Sequence, residues 1–93
     1  MRGRLLETFD EQLESCVDGI ADAVQRGDGD ERRRLAHLLK GSSATIGATR
    51  LSATCERLER AGRATDPEVG DEQVAELREL AQEARRELEQ RLM

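Results

Sequence analysis

The 93-residue chain is long enough for one compact domain and too short for two. Charged residues make up 38% and aromatics 1%, with Phe9 the single Phe and neither Trp nor Tyr, so a core must come from Leu, Val, Ile and Ala, a vocabulary that favours helices over sheets. A net charge of −5 and a pI near 4.9 argue against nucleic acid, which is bound mainly through a basic excess, and no stacking aromatics offer another route.

Leu6, Phe9, Leu13, Cys16, Val17, Ile20 and Val24 recur at steps of three and four, the mark of one helical face, with room for a short lead-in helix over residues 5–9 ahead of a longer one. The stretch RGDGD ends it: Gly27 and Gly29 supply a stop, and Asp28 with Glu31 makes a capping box for the next helix. The second segment groups Leu35, Leu38, Leu39, Ser42 and Ile46 until Gly47 forces a turn. The third repeats the spacing with Ala48, Leu51, Cys55, Leu58 and Ala61, while Glu56 with Arg60 and Glu59 with Arg63 read as charge pairs on its outer side. After GRATDPEVGD, with a helix start at either Asp66 before Pro67 or Asp71, a last segment carries Val74, Leu77, Ala81, Ala84 and Leu88. Its charged tract RELAQEARRELEQRL reads as a solvated outer face.

Helices of this length are marginal alone and gain their stability by burying an apolar face, so the expected fold is all-α, an antiparallel four-helix bundle filling residues 1–93. Its helices fall at roughly 5–26, 30–46, 48–63 and 71–91. One such bundle buries these stripes by itself, so a monomer is expected. Cys16 and Cys55 lie on the apolar stripes and read as reduced, buried thiols. No apolar run approaches the roughly 20 residues needed to cross a bilayer, and the opening MRGRLLETFDEQ turns acidic before a signal core forms. A cytoplasmic location follows, and the preference for Arg over Lys is what a GC-rich bacterial genome would give.

The stretch AHLLKGSS holds the only histidine, His37, and the only lysine, Lys40. At 100° per residue with Leu35 at zero, Leu39, Ser42 and Ile46 fall within roughly 40°, whereas His37 lies at roughly 200° and faces water. Ser42 then sits near the core and Ser43 to one side. On the face of His37 stand Arg33 and Gly41 one turn away, Lys40 at three residues and Ala44 two turns on. Gly41 costs a helix roughly 1 kcal/mol relative to Ala, so it needs a reason beyond helix formation: a bare face lets another molecule reach the imidazole. Lys40 is a compact, mobile point charge suited to phosphoryl oxygens. One His with two inward-facing Cys does not make a metal site. Nor does any carboxylate cluster beside His37 hold one.

The stretch LAHLLKGSSATIGATRLSATCERLE, residues 35–59, resembles the histidine-containing phosphotransfer domain in His37, Lys40, Gly41, Gly47, Leu51, Leu58 and Glu59. The resemblance implies a phosphorelay intermediate of two-component signalling. His37 would be the phosphoacceptor through Nε2, Lys40 would neutralise the phosphoryl oxygens, and Gly41 would open access for a response-regulator receiver domain. A histidine kinase is a further implied partner, and nucleic acid and membrane are not. The chain would be a carrier, not an enzyme: it has no ATP-binding motif and no cofactor, the Mg²⁺ belonging to the receiver. A neutral, exposed imidazole needs no helper base to act as a nucleophile. Arg33, Arg34 and Ala44 are candidate partner contacts, the Arg32–Arg34 run being either a solvated helix start or a steering patch for an acidic receiver. The alternative reading is a helical docking or adaptor bundle that binds receivers or kinases without accepting phosphate.

Overall fold

The computed structural model describes the backbone of residues 2–62 and 69–92 and the side chains of 9–62 and 69–91. Four helices follow one another: α1 (Arg2–Arg26), α2 (Gly29–Thr45), α3 (Thr49–Arg60) and α4 (Asp71–Leu92). Helix α2 packs on α1 and α3, and α4 packs on α1 and α3, which closes the ring of an up-and-down bundle 42 Å long and 19 Å across. The lead-in helix expected over 5–9 does not separate, because α1 runs unbroken from Arg2. Helix α3 ends at Arg60, three residues before the expected boundary. Of the two candidate starts for the last helix, Asp71 begins α4. The side chain of Leu6, the Asp66–Pro67 start and the Glu59–Arg63 pair lie outside the described residues.

Two glycines end helices by the same device. Gly27 (φ 70°) lets Asp28 N–H reach Ala23 O at 2.8 Å, and Gly47 (φ 78°) lets Ala48 N–H reach Ser43 O at 2.9 Å. These are the six-to-one bonds of a left-handed glycine cap, a conformation that other side chains resist. Asp28 then caps α2 by accepting from Glu31 N–H at 3.1 Å. Only this half of the capping box forms: the Asp28 amide is taken by Ala23, and the Glu31 carboxylate turns to Arg34 Nε at 3.2 Å.

Leu13, Val17 and Ile20 of α1, Leu51, Cys55 and Leu58 of α3, and Leu77, Leu80, Ala81 and Ala84 of α4 form the core, joined by Ala36 and Leu39 of α2. Each fully buried Leu or Ile contributes about 1.5–3 kcal/mol. The charged tract of α4 reaches sideways as well as outward: Arg78 pairs with Asp18 at 2.8 Å and Arg85 with Asp10 at 3.1 Å.

Helix α2 departs from expectation. Its buried residues are Arg32, Ala36, Leu39 and Ser43, so the core direction is rotated by roughly 60° from the one set by the leucines. Leu38 is 50% exposed and Ser42 is exposed, whereas Ser43 is buried and donates Oγ–H to Leu39 O at 2.7 Å. Arg32, expected at the surface, is 1% exposed.

Cys55 is buried, and burial pushes its thiol up to about 12. Cys16 is only half-buried, so the expectation of two buried thiols holds for one of them. Burial also raises the Cys16 thiol, against a smaller opposing effect of Arg34. A thiol-specific disulfide reagent at pH 8 is therefore expected to modify Cys16 slowly and Cys55 only after denaturant is added. Rapid reaction of two thiols in the native protein would contradict this packing.

Candidate functional site

The rotation of α2 leaves His37 outward, about 135° from the buried direction, and brings Lys40 to the boundary with α3. The His37 side chain is 68% exposed and that of Lys40 30%. Both meet one carboxylate on the neighbouring helix. His37 Nδ1 lies 2.6 Å from Glu59 Oε1, and Lys40 Nζ donates to Glu59 Oε2 at 2.6 Å. The hydrogen bond from Lys40, then that from His37, holds the Glu59 carboxyl below its usual range, so it stays ionised near neutral pH.

An ionised carboxylate only accepts hydrogen bonds, so the proton of the His37–Glu59 contact sits on Nδ1. In the neutral ring the lone pair is then on Nε2, at the exposed edge. Lys40 spends one of its three N–H donors on Glu59 and keeps two. Glu59 is the residue that sequence periodicity misassigned. It was expected on the outer side of α3, and it faces α2.

Gly41 continues the face of His37 into open space: a Cβ built there would meet nothing within 4 Å. Ala44, a turn beyond, is exposed. On the other side of Gly41, Leu38 and Ser42 join Phe9, Leu13 and Cys16 of α1 in lining a groove of about 490 Å³. Helical periodicity does not reveal this groove, because it assigns Leu38 to the core. Arg33 and Arg34, candidate partner contacts, are paired within α2: Arg33 Nη2 with Asp30 at 2.7 Å, and Arg34 with Glu31. Among the described residues no group of three His, Cys, Asp or Glu side chains could hold a metal ion, and no helix is long and apolar enough to cross a membrane.

Helices α2 and α3 thus hold one imidazole outward, its Nδ1 bonded to Glu59, beside the bare helix position of Gly41. A family model described as the Hpt domain matches residues 4–87, and the chain belongs to the Hpt domain family of phosphoryl carriers in phosphorelay signalling, as its motif suggested. The chain is 36% identical over 52 residues to multistep phosphorelay regulator 1 of Schizosaccharomyces pombe, a match covering 56% of this chain and 18% of that protein. The match thus spans less than a fifth of the relative's length, and that relative lends no support to a bacterial source. No solved structure matches.

Proposed function

We propose that His37 accepts a phosphoryl group on Nε2 from the aspartyl phosphate of a receiver domain or from a kinase phosphohistidine, and passes it to another aspartate. The observation that carries this reading is the bond from His37 Nδ1 to Glu59, which leaves the Nε2 lone pair free. As the N–P bond forms, the bond from phosphorus to the donor breaks: an aspartyl phosphate loses its P–O bond and leaves as carboxylate, and a phosphohistidine loses its P–N bond and leaves as neutral imidazole. The Nδ1 proton stays in place, and the positive charge that develops on the ring faces Glu59. In the reverse direction the ring departs as neutral imidazole, so the same geometry serves acceptance and donation.

Lys40, with two N–H donors uncommitted, meets the phosphoryl oxygens. Phosphoryl transfer depends chiefly on in-line positioning and charge stabilisation, so this chain requires neither a base triad nor a cofactor. The Mg²⁺ belongs to the receiver's acidic pocket, and the chain acts as a monomeric cytoplasmic carrier without its own ATP site. Docking covers Gly41, with Ala44, Arg33 and Arg34 at its margin and the apolar groove beside Leu38 under the receiver.

The test is incubation with a phosphorylated receiver and Mg²⁺, followed by intact mass and by acid and base treatment. An acid-labile, base-stable phosphate is expected. Binding to a receiver without any uptake, across several receivers, would favour the docking bundle instead.

Glu59→Ala separates ring orientation from docking. Without the carboxylate the ring has no fixed tautomer, and uptake is expected to slow about ten-fold whether the donor is a receiver or a small N–P donor such as phosphoramidate. A time course of phosphorylated mass checks this, and an unchanged rate would remove Glu59 from the mechanism.

A further inference from the structure

Arg32 is the most buried charged side chain described, and nothing in the transfer chemistry uses it. Taking a guanidinium out of water costs several kcal/mol unless its donors are well met. Its position follows Asp30 and Glu31 at the start of α2, where a solvated arginine would be ordinary. Instead its Nε–H donates to Leu58 O at 3.1 Å, and its Nη2 donates to Ala61 O at 2.6 Å and Gly62 O at 2.9 Å.

These carbonyls end α3, a helix of only 12 residues. Helices α1 and α2 finish with a left-handed glycine, but α3 passes through Ala61 at φ −55° and ψ 140°, without that cap. Its last carbonyls therefore need outside donors. The guanidinium also sits at the negative end of the α3 dipole. Most telling is the carbonyl chosen: Leu58 O belongs to the peptide group that joins Leu58 to Glu59.

Arg32 lies five residues before His37 on the same helix, about 7.5 Å along its axis. One rigid element thus carries both the clamp on the Glu59 backbone and the two side chains that meet the Glu59 carboxylate. We infer that Arg32 is a positioning residue for the carrier: by gripping the last turn of α3 it sets Glu59 against His37 Nδ1 and so selects the tautomer of the neutral ring whose lone pair lies on Nε2. This inference rests on the proposed role of His37 for its consequence, and not for its geometry.

The test is a double-mutant cycle read in two ways on the full chain. Nitrogen-15 signals of the His37 ring report which nitrogen carries the proton, and phosphoramidate labelling reports the rate. Arg32→Met, of similar length but without donors, is expected to erase the Nδ1–H preference as Glu59→Ala does and to slow labelling about ten-fold. Added to Glu59→Ala, it is expected to change neither reading further, because both act through one contact. Leu51→Val, a core substitution at the other end of α3, lowers the melting temperature and leaves the ring signals unchanged.

An Arg32→Met protein that is less stable but keeps the native His37 signals would overturn the inference. So would an effect that adds fully to that of Glu59→Ala. Should Arg32→Met fail to fold, Arg32→Lys keeps the charge with a single compact donor and is expected to shift the ring signals part of the way; native signals in that variant overturn the inference as well. The ring signals need no phosphate, so failure of the wild-type protein to take up phosphate would sink the proposed function and leave this test standing.

Discussion

His37→Gln is expected to take up no phosphate from a phosphorylated receiver or from phosphoramidate, while the bundle stays folded and still binds the receiver. The glutamine amide nitrogen has its lone pair delocalised into the carbonyl and is no nucleophile toward phosphorus, and the chain holds no second histidine. The cost to the fold is small because the replaced side chain is 68% exposed; surface changes of this kind stay within about 0.5 kcal/mol. An amide N–H can still donate to Glu59, so the link from α2 to α3 survives in neutral form. Intact mass reads uptake, a thermal melt reads folding, and titration calorimetry reads binding. Residual phosphate on the variant at the native rate would place the acceptor elsewhere. Loss of receiver binding in a folded variant would make the imidazole part of the docking surface instead of a group the receiver merely reaches.

Much of this architecture is legible in the sequence because helix packing obeys a local rule. Leu13, Val17 and Ile20, or Leu51, Cys55 and Leu58, recur at the helical period, and a stripe of large apolar side chains points to its own core. The glycine stops are legible for the same reason, since a left-handed residue after a helix is a local requirement. Helix α2 is where this fails. Its buried face consists of Ala36, Leu39, Ser43 and Arg32, three of them small or charged, while its largest apolar outlier, Leu38, faces a groove. Weighting by hydrophobicity therefore turns the wheel toward the wrong flank.

The candidate site divides along the same line. His37, Lys40 and Gly41 are close in sequence and share a face, so spacing finds them. Glu59 is 22 residues from His37, and the partner that local spacing offers it is Arg63, four residues on in the sequence. Arg32 likewise looks like one of three solvated arginines until its carbonyl partners, 26 to 30 residues away, come into view. Both contacts run between α2 and α3, and no periodicity within one helix encodes a crossing. Polar contacts between helices depend on how two helices are turned toward each other, and it was the turn of α2 that the pattern misjudged. Yet the error leaves His37 outward, because it started almost opposite the core and a rotation of roughly 60° cannot bury it.

Gly41 is where stability and function pull in opposite directions. Among the described residues only Gly27 and Gly47 need a left-handed backbone, so Gly41 is not there for its conformational freedom. Nor does packing require it, since an added Cβ meets no atom within 4 Å. In mid-helix it costs about 1 kcal/mol relative to Ala, and Gly41→Ala is expected to raise the melting temperature by about 4–8 °C in a domain of this size. Gly41→Trp keeps the helix but fills the open space between His37 and Leu38. With a phosphorylated receiver as donor, uptake by Gly41→Trp is expected to fall on the order of 100-fold, because the donor phosphorus can no longer reach Nε2 in line. Phosphoramidate, which needs no docking surface, should label this variant at close to the native rate. That contrast sets it apart from Glu59→Ala, which slows both donors alike. Native transfer from the receiver to Gly41→Trp would mean that docking does not cover this face, and a lower melting temperature for Gly41→Ala would mean that the helix itself requires the glycine. The expected pair of results, a more stable Ala variant and a Trp variant closed only to the large donor, identifies the missing side chain as space kept for a partner.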